Sequence, residues 1–242
     1  MSERRRNFHD QVVDELGRQI ASGLFAPGEP VPTEPALAEQ LGVSRVVVRE
    51  AIKSLAAKGM VAVRPRTGTR VLPRERWNLL DPQVLEWQSG QGLDSRFIAD
   101  LMELRRIVEP PAARLAAQRA EPSDLRAMRD AFRRMEAATA GHGDYVAADL
   151  AFHGAILTAC HNQFIQQMHG ALSQILKTSF VISTRPANAG VLSLPLHEDL
   201  LRSIERGDGE AAASAAEVLI ARAGENLRSA IAAMPKVPDG DA

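Results

Sequence analysis

The sequence predicts a mostly α-helical protein in two parts, and three observations carry that expectation. The first seventy residues change pattern quickly: short apolar-periodic segments, a glycine turn, then two β-branched runs. From about Asp94 to Ala233 only helical spacing recurs, with no alternating strand pattern. Charge divides at the same place. Residues 1–76 hold 13 Lys and Arg against 9 Asp and Glu, and the remainder 16 against 21. A basic front and an acidic back put any polyanionic partner at the front.

Val12, Val13, Leu16, Ile20 and Leu24 recur at helical spacing, which predicts an amphipathic helix over roughly 8–22. Pro27, Gly28 and Pro30 break the chain after it. Thr33 is placed to cap a short helix that carries Leu37 and Leu41 and stops at Gly42. Ser44 caps the next helix, which runs to about Lys58 with Val47, Val48, Ala51, Ile52 and Leu55 inward. Two β-branched runs then flank Arg64–Gly68 and read as a hairpin. Helix, helix, tight turn, helix, hairpin is the order of a winged helix-turn-helix. Residues 1–72 are assigned to that unit and 73–92 to a connector. Trp77, Leu79, Leu80, Val84, Leu85 and Trp87 make the connector too apolar for a free linker, so it packs against one or both parts.

Residues 93–234 read as an antiparallel all-α helical bundle, with 235–242 as a tail. Ile98, Leu101, Leu104, Val108, Ala112 and Leu115 share a helix face, and Pro110-Pro111 is expected to kink or interrupt it. Further helices are expected at about 123–139, 144–159, 163–184, 195–206 and 208–233, with Ser123 capping the first and Gly207 separating the last two.

The composition excludes several classes. One cysteine, Cys160, forbids an intrachain disulfide framework and fits a reducing compartment. There is no run of about 18 apolar residues and no secretory leader pattern, so a cytoplasmic protein without a membrane is expected. No phosphate-binding glycine loop, nucleophile elbow or paired catalytic carboxylates occur, so no enzyme activity is expected.

Arg45, Arg49 and Lys53 fall at i, i+4 and i+8 on the third helix. An arginine on such a helix can hold guanine O6 and N7 in the major groove, while Lys53, further along, suits a phosphate. Arg64, Arg66 and Arg70 in the hairpin are placed for backbone or minor groove. In the second part Asp149 and His153 leave one helix face together, and His197 is a third candidate. Such a set either binds a divalent ion such as Zn²⁺, Ni²⁺ or Mn²⁺ or forms a hydrogen-bonded structural pair. Arg105, on an otherwise apolar face, is matched either by a carboxylate ligand or by Glu109 at i+4.

The motifs taken together resemble the GntR family of bacterial regulators. Pro32-Thr33-Glu34, Leu41-Gly42-Val43-Ser44-Arg45, Val48-Arg49-Glu50-Ala51 and Gly68-Thr69-Arg70-Val71 carry the likeness in the first part. Glu103-Leu104-Arg105, Val108-Glu109, the Asp149/Phe152/His153 set, Asn162, His197 and Ile204–Asp208 resemble the helical FCD sensor domain of its FadR-like subfamily. The resemblance implies a DNA-binding transcription regulator, a repressor by preference, working as a homodimer on double-stranded operator DNA. It implies Ser44, Arg45, Arg49, Lys53 and Arg66 as DNA contacts, and Arg105 and Asn162 as contacts to a small carboxylate effector. It also implies Asp149, His153 and His197 as metal ligands. The connector, with Arg76–Asp81 and Val84–Trp87, and Arg105–Pro110 resemble the galactonate-repressor branch. That implies a sugar acid such as D-galactonate as effector. Two departures stand out: Leu219 lies where metal-bearing relatives place a fourth ligand, and Pro35 where some carry a DNA-contacting Arg. A regulator answering another hydroxy or uronic acid, a metal-dependent enzyme and a pure metal sensor are the alternatives.

Overall fold

The computed structural model describes residues 8–64, 68–89, 95–167, 173, 177, 180 and 189–232. The chain divides into two compact units, Met1–Leu93 and Asp94–Ala242.

In the first unit, α1 (Phe8–Ala21), α2 (Glu34–Leu41) and α3 (Arg45–Ala57) precede β1 (Val61–Arg64) and β2 (Gly68–Val71), an antiparallel pair in which Val61 faces Val71. The expected caps form. Thr33 Oγ1 accepts from the Ala36 amide and Ser44 Oγ from the Val47 amide, each at 3.4 Å. Gly42 sits at φ 65°, a left-handed conformation that a side chain would resist, and so turns α2 into α3. Val12, Leu16 and Ile20 of α1 bury against Val48, Ile52 and Leu55 of α3, Met60 just before β1 and Val71 of β2.

The connector folds onto this same core. It forms α4 (Pro82–Ser89), capped by Asp81, whose Oδ1 accepts from the Gln83 amide at 3.0 Å. Trp77, Val84 and Trp87 are buried among α1 and α3 residues. Each indole N–H has a partner: Trp77 donates to the Leu72 carbonyl at 2.9 Å and Trp87 to Asp14 Oδ1 at 2.7 Å.

The second unit contains α5 (Ser95–Arg119), α6 (Pro122–Thr139), α7 (Tyr145–Ala159), α8 (Ala189–Glu205) and α9 (Gly209–Ala232). Met128, Phe132 and Met135 of α6 meet Phe152 and Ile156 of α7 and Leu200 and Ile204 of α8 in the core. Among the described residues, no helix is long and apolar enough to cross a membrane. Three expectations change. Of the kink or interruption expected at Pro110-Pro111, the interruption is absent: α5 runs through both. The carbonyls they free belong to Arg106 and Ile107, exposed residues where water can take the missing bonds. Glu121, not Ser123, caps α6: its side chain and that of Asp124 each accept from the other's backbone N–H. The last two helices are parted at Gly207 as expected, but α8 starts at Ala189 and carries Pro195 inside. Of the helix expected over 163–184, residues 163–167 are helical and most of the remainder lies outside the described residues.

Candidate functional site

The second unit brings three helices to one buried polar cluster. Arg105 on α5 is 1% exposed, Asp149 5%, His153 4% and His197 2%. Helical spacing puts Asp149 and His153 on one face of α7, and Phe152 between them packs edge-on to both imidazoles, 6.0 Å from the His153 ring and 5.4 Å from His197.

The hydrogen bonds fix both histidines in one orientation. His197 donates Nδ1–H to the Ser193 carbonyl at 2.8 Å, one turn back on α8. His153 directs Nδ1 to Glu109 Oε2 at 3.0 Å. Both Nε2 atoms therefore point at Asp149 Oδ1, at 3.0 Å from His197 and 3.4 Å from His153. Imidazoles held by Nδ1 with Nε2 converging on a carboxylate is how protein sites orient metal ligands. The three ligand atoms lie within 4.8 Å of one another. Bonds of about 2.0–2.2 Å to a tetrahedral ion need ligand atoms about 3–3.5 Å apart, so small shifts would seat one. One carboxylate and two imidazoles suit a borderline divalent ion and leave positions open for other oxygens.

Glu109 links this cluster to Arg105. Arg105 Nε donates to Glu109 Oε1 at 2.7 Å and Nη2 to Oε2 at 3.4 Å. Of the two partners proposed for Arg105, the internal one is present. Burial works against the Glu109 charge, but Arg105 and then His153 outweigh it and hold its carboxyl at about 2. Burial also opposes charge on His153, yet Glu109 and Asp149 together raise it to about 9. Asp149 is held well below the usual carboxylate range by both imidazoles, despite its burial.

A cavity opens over the cluster, lined by Arg105, Asp149, His153, Phe180, Ser193 and His197, with Leu219, Arg222, Ala223 and Asn226 from α9. It is tight, about 30 Å³, room for a water or two. Phe180 covers one side, its ring 5.1 Å from the His153 ring and 5.1 Å from the Arg105 guanidinium carbon. Leu219, buried, fills part of the wall beside the three ligand atoms. Arg222 and Asn226 went unnoticed in the sequence. They sit one turn apart with Leu219 and Ala223 on one face of α9, but a helix rich in alanine does not show which face meets a cavity. Asn162 is placed elsewhere. Its Oδ1 accepts from the amides of Phe164 at 3.0 Å and Ile165 at 3.4 Å, which makes it the cap of the next helical turn, and it does not line this cavity.

In the first unit Ser44, Arg45, Val46, Arg49, Glu50 and Lys53 form the exposed face of α3, opposite buried Val48, Ala51, Ile52 and Leu55. Ser44 is also the helix cap. Arg49 pairs with Glu34 on α2, and Lys53 with Glu50 at 2.9 Å. Arg64 is exposed, while Arg70 donates to the Gly28 carbonyl at 2.7 Å. Arg66 lies outside the described residues.

Comparison with known proteins bears on both units. Residues 8–71 match the model for bacterial regulatory proteins of the gntR family, and residues 100–222 match the FCD domain. The galactonate operon transcriptional repressor of Escherichia coli K12 is 36% identical over 223 residues, 92% of this chain and 97% of that one. The Glc operon transcriptional activator of the same organism is 28% identical, covering 76% of this chain and 72% of that one. Among solved structures, the Listeria monocytogenes protein Lar superposes with a TM-score of 0.68 at 18% identity, over 94% of this chain and 99% of that one. That last likeness concerns the fold alone.

Proposed function

Because the chain belongs to the GntR family of bacterial regulatory proteins and carries an FCD domain, we propose that a small hydroxy acid controls its binding to operator DNA. A D-galactonate-type aldonate is the effector, and the regulator is a repressor. The DNA-binding regulator is the family's own function; the effector and the sign are this reading. The observation that carries it is the cavity over Arg105, Asp149, His153 and His197, which sets cationic groups and metal-type ligands around one small space. The 36% identity to a galactonate operon repressor supports a galactonate-type effector.

The parts divide by chemistry. Arg105 and Arg222 suit a carboxylate, and Ser193 and Asn226 suit hydroxyls. Asp149, His153 and His197 would hold Zn²⁺, Ni²⁺ or Mn²⁺, and that ion would draw effector oxygens to the cluster. As it stands the cavity holds a water or two, so a six-carbon acid favours a wider form. Ligand affinity thereby becomes a preference for one state over another, which an effector needs to shift a population. At the DNA end, Ser44, Arg45, Arg49, Lys53 and Arg66 of each protomer of a cytoplasmic homodimer meet a near-palindromic operator. Residues 1–72 read DNA, 73–92 connect, and 93–234 sense and dimerise.

Thermal melting against a panel of sugar acids and short hydroxy acids, with and without a chelator, tests the reading. D-galactonate is expected to raise the melting point, by about 2.7 kcal/mol of stabilisation at a hundred times its Kd, and chelation to reduce the shift. No shift with any acid would remove the effector assignment. A shift that survives chelation unchanged would remove the metal from it.

Leu219 gives a second, independent check. Leu219→His adds an imidazole to the cavity wall beside the three ligand atoms and is expected to raise Zn²⁺ affinity roughly tenfold or more, completing four protein ligands. Titration calorimetry on the two proteins reads this directly. Equal affinities would put the ion elsewhere.

A further inference from the structure

Two ion pairs lie on the exposed face of α3, and they differ in kind. Lys53–Glu50 is an i, i+3 pair within one helix, both partners more than half exposed. Arg49–Glu34 crosses from α3 to α2 and is held by three contacts: Nε to Oε1 at 3.2 Å, Nε to Oε2 at 3.0 Å and Nη2 to Oε2 at 2.8 Å. Glu34 is the first residue of α2, set by the Thr33 cap and the proline at 35, and a carboxylate suits that helix end. Its side chain is 30% exposed against 57% for Arg49. The carboxylate is thus the anchored partner and the arginine the presented one.

A carboxylate here works against DNA affinity, because each cation it neutralises is one fewer to displace phosphate counterions. Its geometry has a different use. A guanidinium has five N–H groups on two usable edges. Glu34 occupies the side edge, Nε with Nη2. The end edge, Nη1 with the other Nη2 hydrogen, has no hydrogen-bond partner among the described residues. Two parallel N–H groups on one edge are what a guanine O6/N7 pair accepts.

We propose that Glu34 is a specificity-positioning residue: by holding the side edge of Arg49 it turns this arginine from a phosphate anchor into a base reader. The inference rests on the reading that the α3 face meets operator DNA. A lone arginine follows the nearest phosphate on any sequence. One whose charge is balanced and whose orientation is fixed gains little from phosphate and keeps its end edge for a base.

The test uses the full chain, a duplex that the wild-type protein selects from a randomised pool, and a scrambled duplex of the same composition. Affinities are measured over a salt series for wild type, Glu34→Gln and Arg49→Ala, with melting points as the control for folding. For Glu34→Gln the scrambled duplex is expected to bind more tightly. Its log Kd–log salt slope should steepen by about 0.9 for each newly free arginine, and the selected-to-scrambled affinity ratio should fall roughly tenfold. Equal weakening on both duplexes with an unchanged slope would make Glu34 a merely structural residue and overturn the proposal. If Arg49→Ala lowers the ratio while Glu34→Gln behaves as wild type, this inference alone fails. If Arg49→Ala leaves the selected duplex as tightly bound as before, the DNA-reading assignment of α3 falls with it.

Discussion

Arg105→Ala is expected to abolish the response to effector and to destabilise the second unit by about 3–5 kcal/mol, the range for breaking a buried ion pair from one side. The value should sit at the lower end, because Glu109 keeps its second contact, the His153 Nδ1 at 3.0 Å. Two parts of the loss lie among the described residues. Glu109, 8% exposed, keeps a charge with half its compensation gone, and the Phe180 ring loses the guanidinium at 5.1 Å. A urea midpoint gives the stability term, and the melting shift with D-galactonate gives the functional one. Arg105→Lys separates the two. It restores a cation for Glu109 but not the planar fork, so stability should return in part while the effector response stays lost. A variant without Arg105 that answers effector as wild type does would remove this residue from the site.

Gly17→Ala is expected to cost about 1–3 kcal/mol, and to do so through a tryptophan. A Cβ at position 17 would lie 2.5 Å from two carbons of the Trp87 ring, closer than any real contact. The indole cannot slide aside cheaply, since its Nε1–H is tied to Asp14 at 2.7 Å and the ring is 2% exposed. Displacement should expose it and shift the tryptophan emission to the red, with Trp77 still bonded to Leu72. Adding Trp87→Leu to Gly17→Ala removes the collision, so the two costs should be less than additive. Unchanged emission and an unchanged midpoint would mean that α1 and α4 do not meet this closely.

Local chemistry made much of this fold readable. Thr33 and Ser44 precede apolar periodic runs and do cap them, and Gly42 turns the chain between them, because caps and turns depend on a few adjacent residues. The misread cap of α6 shows the limit. Glu121 and Ser123 are both plausible near Pro122, and only the reciprocal bond with Asp124 decides. Pro110 and Pro111 are expected to kink or interrupt α5 because proline removes donors, and the helix is not interrupted. Whether that breaks a helix depends on which side the orphaned carbonyls face, and this is set by the other helices. The same distinction runs through the candidate site. Asp149 and His153 are four apart, so their meeting is local and legible. Glu109–His153 spans α5 to α7, Glu34–Arg49 spans α2 to α3, and Arg222 reaches the cavity from α9. None of these leaves a trace in spacing. Asn162, which the resemblance implies as an effector contact, has its Oδ1 on the Phe164 and Ile165 amides, a local bond that spacing alone does not reveal.

The connector's attachment has a practical consequence for exchanging parts between regulators. Lys58, at the end of α3, binds Asp81 at 2.6 Å through its ammonium and accepts the Asn78 amide at 2.9 Å through its carbonyl. Trp77 and Trp87 complete the same core. A DNA head cut at Leu72 would therefore lose α4 and two buried indoles, and present their empty seats to water. A graft that travels as one piece through Ser89 keeps them. The modular seam of this regulator lies after the fourth helix, well past the end of the wing.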